Sequence, residues 1–280
     1  MGEEGLRQVA ALTIAGSDSG GNAGIQADLR AFHVFGVHGC TVLAALTAQN
    51  PDGVRAILTA DAAFVAAQLD AVLEVYAVAA LKTGMLAAPD VIEAVADRLL
   101  IHGRIVKVCD PVMVATSGAK LLADEAVEAL KARLLPLADL MTPNLPEAAV
   151  LLGRPVATSG EMAEAARELS DRFGCAVLVK GGHGAGANAA DALFDGEALR
   201  WLSTPRIDQP LSTHGTGCSL SAAITAALAC GRTLLDAVVE GKAYVYESIR
   251  TGVRVGETAT VLGTPKRLPL EAVRVEMEKP

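Results

Sequence analysis

Short apolar runs without polar alternation recur along the chain, and stretches of helical periodicity fall between them. Residues 9–14, 42–47, 54–58, 78–81, 105–109 and 176–179 read as strands buried on both faces. Helical patterns cover residues 24–35, a segment opened by Asp61 as N-cap, and 89–100 starting at Pro89. Further helices are predicted over 124–134, 145–151, 160–173, 215–229 and 234–250, with Phe64, Val65, Leu69, Val72 and Leu73 sharing one face of the Asp61 helix. Such alternation predicts an α/β fold: a central, mostly parallel sheet with helices on both faces.

Polar clusters follow the predicted strands: Gly16 to Gly21, Gln49-Asn50, Lys82-Thr83-Gly84, Asp110-Pro111, Thr142-Pro143-Asn144 and Lys180-Gly181-Gly182. In a sheet of this kind ligands bind beyond the carboxyl ends of the strands, so one rim is predicted to carry the site. No linker or repeat divides the chain, and residues 1–280 read as a single domain. The glycine-rich stretch around residues 181–186 reads as a mobile loop between strands.

Composition narrows the function classes. The chain has 280 residues, 51% apolar, with a formal net charge of −8 and scattered Lys and Arg. No basic stripe with interleaved aromatics is present, which argues against a nucleic-acid partner. Five Cys without a C-x-x-C pair argue against a disulfide framework or structural zinc. An acidic N-terminus and the lack of an apolar run of roughly 18 residues predict a cytoplasmic protein without a membrane partner. A homodimer is the expectation from the frequency of that symmetry.

Several familiar motifs are missing. Neither a Walker A sequence nor a Rossmann G-x-G-x-x-G follows the first strand, and G-x-S-x-G and H-E-x-x-H are absent. Ser17-Asp18-Ser19-Gly20-Gly21 mimics the nucleophile segment of trypsin-like proteases, but it lies in an α/β pattern rather than an all-β one.

The segments that remain suit phosphate chemistry. His214-Gly215-Thr216-Gly217-Cys218 opens an Ala-rich helix, where free N–H groups and the helix dipole stabilise an anion. The same helix end is expected to lower the pKa of Cys218. A plainer reading is a helix cap over a buried Cys. Asn144 and Glu147 are spaced either for a capping box or for a hydrated Mg2+. Lys180 ends a buried strand and meets either an anion or a structural carboxylate. Asp110 ends another, as a metal or hydroxyl ligand or as an Asp-Pro turn. Asp28, on the first turn of its helix, faces the pocket or complements the dipole.

Together, AGSDSGGNAGIQADL, ALTAQN, KTGML, DPVMVATSG, TPNLPEA, VKGGH and HGTGC resemble the hydroxymethylpyrimidine/phosphomethylpyrimidine kinase family, within the ribokinase-like superfamily, over residues 12–250. The resemblance implies ATP-dependent phosphorylation of 4-amino-5-hydroxymethyl-2-methylpyrimidine and then of its monophosphate, for thiamin biosynthesis. It implies that Gln49 and Asp28 bind the pyrimidine, with Gly16, Met85 and Val112 lining its pocket. Asn144 and Glu147 would serve Mg2+ and the phosphates with Asp110 nearby, and Lys180 would contact ATP phosphate. The Gly215, Thr216 and Gly217 amides would form an anion hole, with Cys218 where other ribokinase-like enzymes carry a catalytic Asp. The stretch 181–190 would correspond to a flap over ATP. Asn22 departs from the family's usual Gly, and tolerance of left-handed backbone angles is the expected reason it is accommodated. Pyridoxine/pyridoxal kinase activity is the nearest alternative. A non-catalytic binding protein on the same fold is the alternative of another class, and a sugar kinase would carry Asp at position 218.

Overall fold

The computed structural model describes residues 8–51, 53–113, 122–182 and 186–278. Its centre is a ten-stranded sheet built outward from β1 (Ala10–Asp18). On one side β1 pairs in parallel with β2 (His38–Asn50), and β2 turns back into the antiparallel edge strand β3 (Gly53–Thr59). On the other side β4 (Val78–Thr83), β5 (Val106–Cys109), β6 (Leu140–Met141) and β7 (Ala176–Lys180) follow in parallel. The sheet ends in antiparallel strands β8 (Asn188–Phe194), β9 (Leu199–Pro205) and β12 (Arg274–Met277). A separate ribbon joins β10 (Val253–Val255) to β11 (Ala259–Val261).

Strand order reverses at β1, whose sequence neighbour β2 lies on one side and β4 on the other. The crevice between their carboxyl ends is where an open α/β sheet accepts a ligand. A register shift between Ala15 and Gly16 lets β1 continue to Asp18, so the predicted loop begins as paired strand.

Helices cover both faces. One face carries α2 (Ala62–Leu73), α3 (Pro89–Ile101), α4 (Asp124–Ala129), α5 (Leu145–Leu152) and α6 (Ser159–Phe173) over a large apolar cluster. The other carries α1 (Gly24–Val34), α7 (Thr216–Ala229) and α8 (Leu234–Arg250). Ten of the fourteen residues of α7 are buried, and its alanines allow close approach to the sheet. At Gly241 a Cβ would lie 2.6 Å from Ile224, so α8 crosses α7 at a distance only glycine permits.

Asp61 caps α2 as expected by accepting the Phe64 N–H, but Phe64 itself is exposed while Val65, Ala66 and Leu69 are buried. The helix predicted over 124–134 is α-helical only to Ala129 and continues as a π-helical turn over Leu130–Leu134. β6, β8 to β12 and the outer parts of β2 carry no clear apolar run and were not predicted. No helix among the described residues is long and apolar enough to cross a membrane.

Candidate active site

The loop after β1 is organised by Asp18. Its carboxylate accepts backbone N–H groups from Gly20, Asn22 and Ala23 at 2.8–2.9 Å, and His214 Nε2 lies 3.8 Å away. Burial alone would raise its pKa, yet His214 and the three N–H groups hold it down at about 2. This loop then locks onto the turn before α7. Gly215 has φ +87°, and a Cβ there would lie 2.0 Å from the Asn22 carbonyl oxygen. Asn22 has no positive φ, so left-handed tolerance is not why it fits; its backbone is used and its side chain is buried.

Most of the expected residues line one cavity of roughly 480 Å3: Gly16, Gln49, Met85, Asp110, Val112, Asn144, Glu147, Lys180, Gly215, Gly217 and Cys218. Gly16 packs closely against Met85, whose Cε would lie 2.8 Å from a Cβ there and would have to shift to make room for one. The Gln49 carboxamide lies 3.0 Å from His214 Nε2, and Ser19 Oγ pairs with both the Gln49 N–H and its carbonyl at 2.8 Å.

Thr216 lines only the second cavity described below, and Asp28 lines neither. It is fully buried beneath the cavity, ion-paired to Lys82 Nζ at 3.0 Å and accepting the Thr13 hydroxyl at 2.6 Å, and it does not line the cavity. A carboxylate with no exposed surface cannot meet a substrate ring. Its task is to pair Lys82: burial would lower that lysine's pKa, but Asp28 holds it above the usual range.

Charge gathers at the other end. Asp110 accepts from Lys180 Nζ at 2.8 Å, Thr142 Oγ1 at 3.0 Å and Ser221 Oγ at 3.2 Å. Burial would raise its pKa, but Lys180 and Lys82 pull it below the usual carboxylate range. Asn144 and Glu147 form a reciprocal capping box, at 2.9 and 2.8 Å, while also lining the cavity. Burial, reinforced by the charge of Asp110, pushes the Glu147 carboxyl up to about 7. Lys180 thus meets a structural carboxylate and the cavity together.

The N-terminus of α7 stands over this pair. A Cβ on Gly217 would lie 3.4 Å from Lys180 Nζ and 3.9 Å from Asp110 Oδ2. Gly215 is the left-handed N-cap and offers no side chain, so the first N–H groups of α7 remain open to an anion apart from a 3.4 Å contact from Thr216 N–H to Thr213 O. The Cys218 thiol does not follow the expected shift. Burial outweighs the nearby Lys82, Asp28 and Asp110 add negative potential, and its pKa is pushed up to about 11. At neutral pH it holds its proton.

A second cavity, of roughly 380 Å3, shares Asn144, Lys180, Thr213 and Gly217 with the first and takes Thr216 into its wall. Farther out, Lys242 Nζ donates to Asp191 at 2.6 Å, and Asp191 also accepts the Gly181 N–H. Arg206 donates to the carbonyls of Gly182 and Gly186, framing the glycine-rich turn. Residues 183–185 of the expected flap lie outside the described residues. Sequence reasoning assigned no task to Asp18, His214, Lys82, Asp191, Lys242 or Arg206. Asp18, His214 and Lys82 lie inside the quoted motifs, whereas the pairing of Asp191 with Lys242 joins distant segments and leaves no local signal.

A rim of strand ends at a topological switch point, a helix N-terminus over a Lys–Asp pair, and two cavities meeting there define a kinase of the ribokinase-like class. The sequence matches the model of the phosphomethylpyrimidine kinase family over residues 18–262. It is 50% identical to a hydroxymethylpyrimidine/phosphomethylpyrimidine kinase of Rhizobium meliloti, over 88% of this chain and 92% of that one. Among solved structures, the phosphomethylpyrimidine kinase of Clostridium difficile superposes with a TM-score of 0.77 at 38% identity, covering 86% and 100% of the two chains. Bacillus subtilis pyridoxal kinase in an ADP complex gives a TM-score of 0.85 at 36% identity, covering 92% and 98%. The chain belongs to the hydroxymethylpyrimidine/phosphomethylpyrimidine kinase family.

Proposed function

We propose that this protein transfers the γ-phosphoryl group of ATP to the hydroxymethyl group of 4-amino-5-hydroxymethyl-2-methylpyrimidine, and then phosphorylates the monophosphate. The observation that carries this reading is the junction of the two cavities at Asn144, Lys180 and Gly217, where charge and open N–H groups converge. The heterocycle occupies the first cavity against Gly16, Met85 and Val112, with its polar edge on Gln49. The nucleotide occupies the second, its phosphates at Lys180 and the α7 N-terminus.

The alcohol oxygen attacks the γ-phosphorus in line, the bond from that phosphorus to the β–γ bridging oxygen breaks, ADP leaves, and the hydroxyl proton passes late to an oxygen of the transferred phosphoryl group and from there to solvent. Little nucleophile activation is needed in such a loose transition state, and placement and charge stabilisation dominate. The Gly215–Gly217 turn and Lys180 meet the charge on the transferring group. Cys218, protonated, positions the hydroxyl rather than taking its proton.

Asp110 and Glu147 suit a hydrated Mg2+: a buried carboxyl poised near pH 7 beside a second carboxylate gains from a cation, and Mg2+ needs few protein oxygens. Among the described residues no group of three or more metal-type side chains exists, so most of its ligands would be water and phosphate. When bound there, it supplies charge neutralisation on the phosphates.

A coupled ADP-release assay comparing the pyrimidine alcohol, its monophosphate, pyridoxine and ribose tests the reading. Turnover of the pyrimidine alcohol is expected to dominate. Turnover of pyridoxine alone would reassign the chain to pyridoxal-kinase activity, and none on any alcohol would indicate a binding protein.

A further inference from the structure

Which hydrogens the Gln49 carboxamide can use depends on the state of His214. Thr47 Oγ1 has one proton. It lies 3.0 Å from the Ser17 carbonyl, which can only accept, and 3.4 Å from the Gln49 carboxamide oxygen. With its proton on Ser17, Thr47 presents a lone pair to another acceptor. On the opposite side the Gln49 Nε2 stands 3.0 Å from His214 Nε2, and that imidazole nitrogen also faces Asp18 Oδ2 at 3.8 Å. Facing a carboxylate favours an N–H at Nε2, which would then oppose the N–H of the carboxamide. Rotating the carboxamide by 180° removes both conflicts, because its N–H then donates to Thr47 and its oxygen accepts from His214.

We propose that His214 is a positioning residue that, in its Nε2–H form and together with Thr47, holds the Gln49 carboxamide oxygen toward the imidazole and so sets the donor–acceptor order shown to the heterocycle. The inference rests on the first cavity being the heterocycle seat. Both of its supports are fixed. Ser19 pins the Gln49 main chain, and three backbone N–H groups pin Asp18. One carboxamide N–H and one oxygen lone pair remain for the cavity. That pair matches a ring nitrogen beside an exocyclic amino group. A pyridine alcohol has no amino group next to its ring nitrogen and leaves the oxygen unpaired. His214 thereby contributes to selection of an aminopyrimidine, and it does so from the residue adjoining the anion hole.

The test uses the full-length protein. Long-range 1H–15N spectra, with the His214 signal identified by its loss in His214→Gln, are expected to show the Nε2–H tautomer. An Nδ1–H tautomer overturns the proposal. In kinetics, His214→Ala is expected to raise KM for the pyrimidine alcohol about tenfold with kcat nearly kept, and to narrow its preference over pyridoxine. His214→Gln, which retains a donor, should recover much of the KM. Unchanged KM with equal losses on both alcohols would also overturn it, as the mark of a purely structural role. Should the alanine variant fail to fold, the tautomer and the glutamine variant decide. Failure of the wild type to phosphorylate the pyrimidine alcohol would instead refute the assigned substrate, with the tautomer result standing by itself.

Discussion

The two ends of the site are held by different forces. The end proposed to seat the heterocycle relies on shape and neutral hydrogen bonds: Met85 against Gly16, and Gln49 against His214. The phosphoryl end is an array of buried charges, with Lys180 on Asp110, Lys82 on Asp28, and Glu147 beside them. Neutral contacts fail one at a time, whereas removing one partner of a buried pair strands the other. Substitutions at the charged end should therefore damage catalysis and folding together, and those at the neutral end should shift selectivity first.

Lys180→Ala is the most severe test of this contrast. Loss of the anion partner should lower kcat about a thousandfold. Stranding of Asp110 should also lower stability by about 3 kcal/mol, measured by denaturant unfolding. A variant that is inactive but fully stable would break the coupling of the two losses.

Gly215→Ala comes next. Its Cβ would collide with the Asn22 carbonyl at a left-handed backbone, so turnover should fall about a hundredfold. Unfolding should show a loss of about 1–3 kcal/mol.

Glu147→Gln separates charge from capping, because the amide oxygen can still accept the Asn144 N–H. The Glu147 carboxyl titrates at about 7, above the ordinary value of 4.5. Between those values the unfolded chain ionises first, so this group's contribution to stability is complete below 4.5 and lost as pH rises to about 7. The variant should flatten that part of the stability–pH curve, and turnover should fall about tenfold. An unchanged curve would place the titration elsewhere.

Cys218→Ser should matter least, leaving kcat within about fivefold, because a thiol at about 11 does not serve as base at neutral pH. A loss of several hundredfold would restore the proton-accepting role and move Cys218 to the charged end of the comparison.

Much of this is legible in the amino-acid sequence. β1, β4, β5 and β7 announced themselves as unalternating apolar runs, and the polar clusters at their ends fell on one rim. β8 escaped because Asn188-Ala189-Ala190-Asp191 lacks β-branched residues and follows a glycine-rich turn. β6 is two residues long. Among site residues, those defined by local spacing were readable, such as the capping box of Asn144 and Glu147. Those defined by a distant partner were not. Asp28 looked like a substrate ligand until Lys82, 54 residues away, took its carboxylate. Cys218 misled for a related reason: a helix N-terminus favours a thiolate, but burial beside two carboxylates is a property of the assembled fold.

The burial of α7 has a consequence for motion. A helix packed on nearly every side cannot reorient without opening the core, so its leading amides keep one direction through the catalytic cycle. In the proposed transfer step, the solvent-like reorganisation that a flexible anion site would undergo is thereby largely removed. By contrast β3, exposed along most of its length, brings Gly53, Val54 and Ile57 to the first cavity from a strand with a free face. The molecule thus sets a rigid electrode beside an open rim.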